Sequence, residues 1–499
     1  MKRNIGIPRQ TSLATPVVPN PFVHQIDLTN VDKIRIVLMS VFVVPVRLIF
    51  CAIFLLSGFF LATIALAFRS QEEKQKPLCG WRNMLRPVVV LLCRGLFLAG
   101  GFHWVTVKGK RVSAAEAPIL TLVPHSAYFD ALPVVALDLT TIVAKSQAEK
   151  VPLFGTLMEF TQPVYVNRED PNSRQNTIKE INRRAQSGGK WPQIIIFPEG
   201  TCTNRKAVIN FKSGAFYPCM PVQPVCIRYP NKMDTYTWTW EGPGAFACFW
   251  LTLCNFHNSM EIEFLPVVVP NEEEKNDVKL FANKVRKVMA ESLGVPTTDH
   301  SFDDCRLMKQ AGKLKLPLST GLVEFSKLHS KLGLKLEDLQ SMLEKYSSIA
   351  QSKTGVITLD EFASYLHLPK SEALEQVFAL YDRNGSGMID FREYVIGLSL
   401  VSSPVNTEET IKLAFQLFDE ENKGYMSRDD LTRILQNAFE MGNVDELFEQ
   451  VDTKNDEKIT YDEFKDYAVS HPEYAKLFTT YREAKAVPEN GNATHSKSE

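Results

Sequence analysis

The chain has 499 residues, 45% of them hydrophobic, more than one ordinary core can organise, and its length predicts about two to four domains. Its 56 basic and 57 acidic residues nearly cancel, so there is no global electrostatic case for nucleic-acid binding, and charge-based recognition must be local. Nine cysteines, odd in number and without metal-ligand spacing, do not form the disulfide framework of a secreted protein and predict free thiols facing a reducing compartment.

Residues 1–35 carry several prolines and polar residues and lack the basic start, apolar stretch and small-residue cleavage site of a signal peptide, so no cleavage is expected. Residues 49–68, IFCAIFLLSGFFLATIALAF, contain no charge. At about 1.5 Å per residue they reach about 30 Å, the thickness of a bilayer core. A membrane anchor is therefore predicted over residues 36–68. Pro45 and Arg47 interrupt its apolar start, which leaves two forms: a single span over 49–68, the first expectation, or a re-entrant hairpin turning near Ser57 and Gly58. Basic residues flank the run on both sides, Lys33 and Arg35 before it and Arg69, Lys74, Lys76 and Arg82 after it, so orientation stays open.

A second apolar region, residues 88–102, is broken by Arg94 and glycines and reads as interfacial or packed, not spanning. A third, residues 245–256, is too short to cross a membrane and suits a membrane-surface contact or a buried helix equally. Between about residues 101 and 270 lie the continuous apolar runs ILTLV, PVYV, QIIIF, VQPVCI and IEFLPVVV, alternating with helix-like segments. Strands of that kind belong to a sheet covered on both faces, and an α/β catalytic domain is predicted over residues 69–300. A linker over 301–335, an all-α calcium-binding region over 336–483 and a polar, disordered tail over 484–499 complete the expected order.

In LVPHSAYFDALP, His125 and Asp130 stand five residues apart after a β-rich run, where active-site residues of open α/β sheets collect. On a regular helix their side chains would point about 140° apart, so pairing requires His125 to sit at a turn before the helix begins. His125 can then act as a general base towards a hydroxyl, with Asp130 fixing the imidazole tautomer, and no Ser, Cys or Thr nucleophile is required. FPEGTCTNR follows a second strand-like run. A glycine there lets backbone approach an anionic group, Arg205 is placed to add charge, and Glu199 and Thr201 could meet the polar part of a substrate.

Residues 382–393, DRNGSGMIDFRE, set Asp382, Asn384, Ser386, the Met388 carbonyl, Asp390 and Glu393 at positions 1, 3, 5, 7, 9 and 12 of an EF-hand loop, with Gly387 at its tight turn. Alignment on the apolar residue Ile389 finds weaker relatives at 350–361, 419–430 and 452–463. Ala350 cannot supply the leading carboxylate, Lys423 and Lys454 put cations at ligand positions, Asp430 replaces the long bidentate Glu, and Glu457 replaces the turn glycine. One firm Ca2+ site is expected, with the degenerate loops kept as packing partners.

His125-Ser126-Ala127-Tyr128-Phe129-Asp130, PVYVNR with Arg168, Phe197-Pro198-Glu199-Gly200-Thr201 and PVQPV at 221–225 resemble, in order and spacing, the four motifs of the glycerolipid acyltransferases. The longer strings NPFVHQ, FPEGTCTNR, VQPVCIRYPNK and TWTWEGPG resemble the lysophosphatidylcholine acyltransferase branch, also associated with making platelet-activating factor, and the likeness spans nearly the whole chain. It implies that His125 and Asp130 are catalytic, that Arg168, Glu199 and Gly200 hold the acceptor's phosphate or glycerol part, and that acyl-CoA or acetyl-CoA is the donor. It also implies membrane lipids as partners and a place on endoplasmic reticulum, Golgi or lipid droplets, with the catalytic domain facing the cytosol. The second motif departs from the wider family at Tyr165, Val166 and Asn167. That leaves lysophosphatidic acid or glycerol 3-phosphate as alternative acceptors, and an inactive calcium-responsive membrane scaffold as the alternative of another class.

Overall fold

The computed structural model describes residues 19–166, 171–366, 372–401, 423–432 and 444–471, with 368, 370, 411, 412, 415 and 419 singly. Its two compact units are Pro16–Phe302 and the chain from Asp303 onward. The expected tail at 484–499 and the start of the N-terminal segment lie outside the described residues.

In the first unit a capping box, Thr29 with Asp32, starts helix α1 (Asn30–Phe42). Pro45, which lacks an N–H, sits in the first turn of α2 (Val44–Leu66), so the chain breaks at Val43 and starts helix again. Among the described residues α2 is the one helix long and apolar enough to cross a membrane. It runs unbroken through Ser57 and Gly58, so the alternative hairpin has no turn there. Gly58 instead packs closely against Leu92 and Leu157.

The helix Arg86–Ala99 lies antiparallel along α2, with Leu92 beside Gly58, Gly95 beside Phe54, and the Cys51 thiol donating to the Leu96 carbonyl at 3.7 Å. Both ends of α2 are fastened to the α/β core. Near its start Val44 packs with Leu253 and Cys254, and Arg47 donates to the carbonyls of Leu253, Asn255 and Phe256 at 2.6–2.7 Å. Near its end Ala62 and Ala65 share a cluster with Val135, Leu139, Leu157 and Phe160. The opposite face leaves Ile49, Phe50, Ile53, Leu56 and Phe60 more than half exposed. The helix has the length and apolar character of the expected span, and a stripe of small residues, Gly58, Ala62 and Ala65, lies on the side that packs against its own domain.

The sheet has seven strands: β1 (Phe102–Lys108), β2 (Ile119–Val123), β3 (Thr141–Lys145), β4 (Val164–Val166), β5 (Ile194–Ile196), β6 (Val222–Arg228) and β7 (Asn258–Phe264), in the order β1-β7-β6-β2-β5-β3-β4. β7 is antiparallel to β6 and parallel to β1, and the other pairings are parallel. Alternating residues of β2 serve two cores, as a sheet covered on both sides requires. Ile119 and Val123 meet Phe281, Val285 and Met289 of the helix Val278–Leu293, while Leu120 and Leu122 meet Phe129, Leu132 and Tyr236. The sequence reading missed β1, whose FHWVTVK faces are mostly exposed, and the short β3.

In the second unit the expected linker is largely helical, as Phe302–Lys313 and Phe325–Leu332, because Leu307, Ala311, Leu316 and Leu328 bury into the same core as Leu339, Tyr346 and Phe362. The loops pair two by two. β8 (Val356–Thr358) joins β9 (Met388–Asp390) with Ile357 opposite Ile389, and β10 (Tyr425–Ser427) joins β11 (Lys458–Thr460) with Met426 opposite Ile459.

Candidate active site

β2 delivers residues 124–127 in extended form beyond its C-terminal end. A single 3-10 turn, Tyr128–Asp130, then folds Asp130 back before the helix Ala131–Ala136 begins. His125 Nδ1 therefore meets Asp130 Oδ2 at 2.8 Å, the pre-helical pairing that the five-residue spacing demanded. The amides of Ser126 and Ala127 donate to the same oxygen at 2.7 and 3.0 Å, and the Tyr229 hydroxyl donates to Oδ1 at 2.5 Å. Asp130 is 2% exposed while the His125 side chain keeps 27%. An acceptor-only carboxylate at Nδ1 assigns the ring proton there and leaves Nε2 as the basic nitrogen.

The His125 ring rests on Phe197, centroids 4.5 Å apart. Burial alone would push this imidazole down. The Cys202 thiol and the Asp130 carboxylate outweigh it and hold His125 well above its ordinary value.

Glu199 is turned into the protein. It is fully buried, its Oε2 accepts the His125 backbone N–H at 2.7 Å, and its Oε1 has no hydrogen-bond partner. Burial raises its carboxyl to about 7, against the lowering effect of that amide. Thr203 N–H donates to the His125 carbonyl at 2.8 Å, so the FPEGTCTNR loop grips His125 from both sides of its backbone. Gly200 takes φ +67°, where a side chain is disfavoured, and a Cβ there would lie 3.1 Å from Lys212.

Thr201 and Arg205 also turn inward. The Thr201 hydroxyl accepts from Trp240 Nε1 at 3.0 Å. Arg205, at φ +66°, pairs with Asp234, lies over the Tyr229 ring and is 18% exposed. Glu199, Thr201 and Arg205, expected to meet a substrate, are all engaged within the protein in this structure. The physical cause is the pair of left-handed residues, Gly200 and Arg205, that curl the loop back on itself. Arg168 lies outside the described residues.

Three participants went unassigned in the sequence. Tyr229 reaches the site because β6 lies beside β2 in parallel, Val123 opposite Cys226. Asp234 neutralises Arg205. The NPFVHQ segment clamps the loop from outside: the Asn204 amide donates to the Pro21 carbonyl at 2.8 Å, and the Asn204 side chain donates to the carbonyls of Asn20 and Val23. Both strings carrying Tyr229 and NPFVHQ were visible, but nothing local linked them to Asp130 or Asn204.

In the 382–393 loop Asp382 accepts from the amides of Ser386 and Gly387 at 2.9 and 2.8 Å, Asn384 accepts from Ser386, and Asp390 caps Glu393 at 2.7 Å. Among the described residues no three His, Cys, Asp or Glu side chains converge as a ready metal cluster. The donors here also include an amide, a hydroxyl and a carbonyl oxygen. An all-oxygen set on a loop turned by Gly387 at φ +78° fits Ca2+. Burial and then the neighbouring Asp390 raise the Glu393 carboxyl to about 7, as crowded anions do before a cation joins them. In the 452–463 loop the Lys454 ammonium stands 3.6 Å from Glu463 Oε2, a side-chain cation beside the last ligand position.

A family model for acyltransferases matches residues 104–228, an EF-hand model residues 374–396, and an EF-hand domain-pair model residues 408–469. Lysophosphatidylcholine acyltransferase 2 of Homo sapiens is 48% identical over 479 residues, covering 95% of this chain and 87% of that protein. The Danio rerio protein of the same name is 49% identical over 485 residues, covering 96% and 92%. Lysophosphatidylcholine acyltransferase 1 of Rattus norvegicus is 47% identical over 460 residues, covering 92% and 86%.

Proposed function

The chain belongs to the lysophosphatidylcholine acyltransferase family, and we propose that it moves an acyl group from acyl-CoA to the free hydroxyl of lysophosphatidylcholine, with the His125–Asp130 pair performing the proton transfers. His125 Nε2 takes the proton of the acceptor hydroxyl as its oxygen bonds to the thioester carbonyl carbon. The C–S bond then breaks, and the departing thiolate recovers the proton from the imidazolium. Asp130 stabilises that imidazolium and stays ionised itself, as orienting carboxylates do. Arg168 and Gly200 are assigned to the acceptor's phosphate.

The observation that carries this reading is the asymmetry of the pair: a carboxylate buried under four donors at Nδ1, and a partly exposed ring beyond it. The test is acyl transfer by microsomes carrying wild type or His125→Ala, with a panel of lysolipids and acyl donors. Activity at background in the variant is expected. Wild-type activity there would remove His125 as the base, and a preference for lysophosphatidic acid would reassign the acceptor.

Calcium is assigned to one site, residues 382–393, braced by the pseudo-loop 350–361 through the β8–β9 pairing. The exposed apolar face of α2, backed along its length by its own domain, favours an anchor lying in one leaflet of an endoplasmic reticulum or Golgi membrane or on a lipid droplet, on the cytosolic side where acyl-CoA is made.

A further inference from the structure

We propose that Tyr229 is a positioning residue of the transfer reaction, its hydroxyl fixing the plane of the Asp130 carboxylate so that it stays aimed at His125. This deepens the reading above and rests on His125 and Asp130 being the reacting pair.

Asp130 divides its acceptors unevenly. Oδ2 takes His125 and the amides of Ser126 and Ala127, whereas Oδ1 takes one hydrogen bond, from Tyr229 at 2.5 Å, inside the protein. A carboxylate fastened at one oxygen only could still rotate about its Cβ–Cγ bond. A donor on the second oxygen sets its plane and supplies the charge-assisted bond that a buried anion needs. Backbone geometry makes the contact compulsory, since β6 beside β2 brings residue 229 level with the loop that begins at His125.

The phenol is itself held. Its ring stacks on Tyr236 with centroids 5.1 Å apart and planes 14° from parallel, and the Tyr236 hydroxyl is tied to Asn258 Oδ1 at 2.6 Å. The Arg205 guanidinium stands 5.1 Å from the Tyr229 centroid, anchored by Asp234, and a cation over the ring makes the hydroxyl a stronger donor. Arg205, expected at a substrate phosphate, thus acts on the reaction through Tyr229. Burial and the facing Asp130 push the phenol well above its ordinary value, so it remains a donor throughout the working pH range.

Tyr229→Phe keeps the ring, the stack and the cation and deletes only the hydroxyl. With Oδ1 bare, more of the carboxylate's charge falls on the proton it shares with His125. The imidazolium is then held more tightly, and the acid limb of kcat/KM moves to higher pH. The expected result, for the full chain in microsomes, is a kcat lowered about tenfold near neutral pH, an unchanged KM for acyl-CoA, and an acid limb displaced upward by about half a unit to one unit. Tyr236→Phe deletes a hydroxyl buried next door that does not touch Asp130, and should leave the limb in place. An unmoved limb in Tyr229→Phe overturns the proposal, as does an equal displacement in Tyr236→Phe, which would mark a packing effect. Activity retained in His125→Ala would instead remove the reading beneath it, so the two failures are distinguishable.

Discussion

Four donors surround the Asp130 carboxylate, and their geometry depends on its having two oxygens that only accept. Asp130→Asn preserves the shape but presents an NH2 group to something. If that group faces His125, the ring proton moves to Nε2 and the base is lost; if it faces the backbone, it meets two N–H groups. Either way activity should fall about 10³- to 10⁴-fold while the protein still folds, read as kcat against the amount of properly extracted enzyme.

Glu199 makes a prediction of opposite kind. Its carboxyl is raised from 4.5 to about 7 in the folded protein, chiefly by burial. A raised folded value means that this group's contribution to stability is complete below the unfolded value near 4.5 and is lost as pH climbs through about 7. Glu199→Gln, which keeps an oxygen for the His125 amide, should match wild-type Tm near pH 5 and exceed it near pH 8. Parallel Tm profiles across that range would contradict the assignment. At this scale the His125–Asp130 pairing, including its need for a turn, was legible because both residues lie in one short string. Glu199 and Arg205 were legible as candidates at most, and Tyr229 not at all. Their partners lie 74, 29 and 99 residues away, and only the folded sheet chooses them.

At the scale of elements the calcium region was the most readable, since ligand positions and the pairing apolar residue recur at fixed offsets within each loop. Ile357 opposite Ile389 and Met426 opposite Ile459 are the pairs that alignment on that apolar position picks out. Ligand chemistry then separates the loops. Residues 382–393 offer only oxygen, whereas the Lys454 ammonium already stands beside Glu463 in 452–463. Calorimetry on the full chain should therefore show one calcium equivalent bound in the sensor range of about 10⁻⁷–10⁻⁵ M, lost in Glu393→Ala and retained in Lys454→Ala. A second equivalent in wild type would contradict this. The linker was misread for a reason of the same scale. Its apolar residues are spaced for helices, but they bury against a core supplied by the following loops, so the segment alone carries little sign of order.

For the molecule as a whole, the seating of α2 bears on how the chain meets a membrane, a matter that hydropathy alone does not address. A 23-residue apolar helix passes the test for a span whether it crosses the bilayer or lies along it. Here the helix is gripped near Val44 by residues 253–256 and near Ala65 by residues 135–160, so both ends stay beside one domain. Crossing would drag part of that domain into hydrocarbon, where its loops could not satisfy their backbone groups. On the proposed in-plane anchor the side chains of Ile49, Phe50, Ile53, Leu56 and Phe60 would enter one leaflet, each contributing on the order of 1–2 kcal/mol to retention. Two measurements follow. In sealed microsomes a bulky maleimide should label both a cysteine placed before the helix, as Lys33→Cys, and the natural, exposed Cys79 after it, the latter assigned by its loss in Cys79→Ser. A spanning helix would shield one of the two until detergent is added. The double variant Phe50→Asp/Phe60→Asp should also shift protein from the carbonate-washed membrane to the supernatant, because a leaflet-bound helix depends on that face, and unchanged retention would return the anchor to a span.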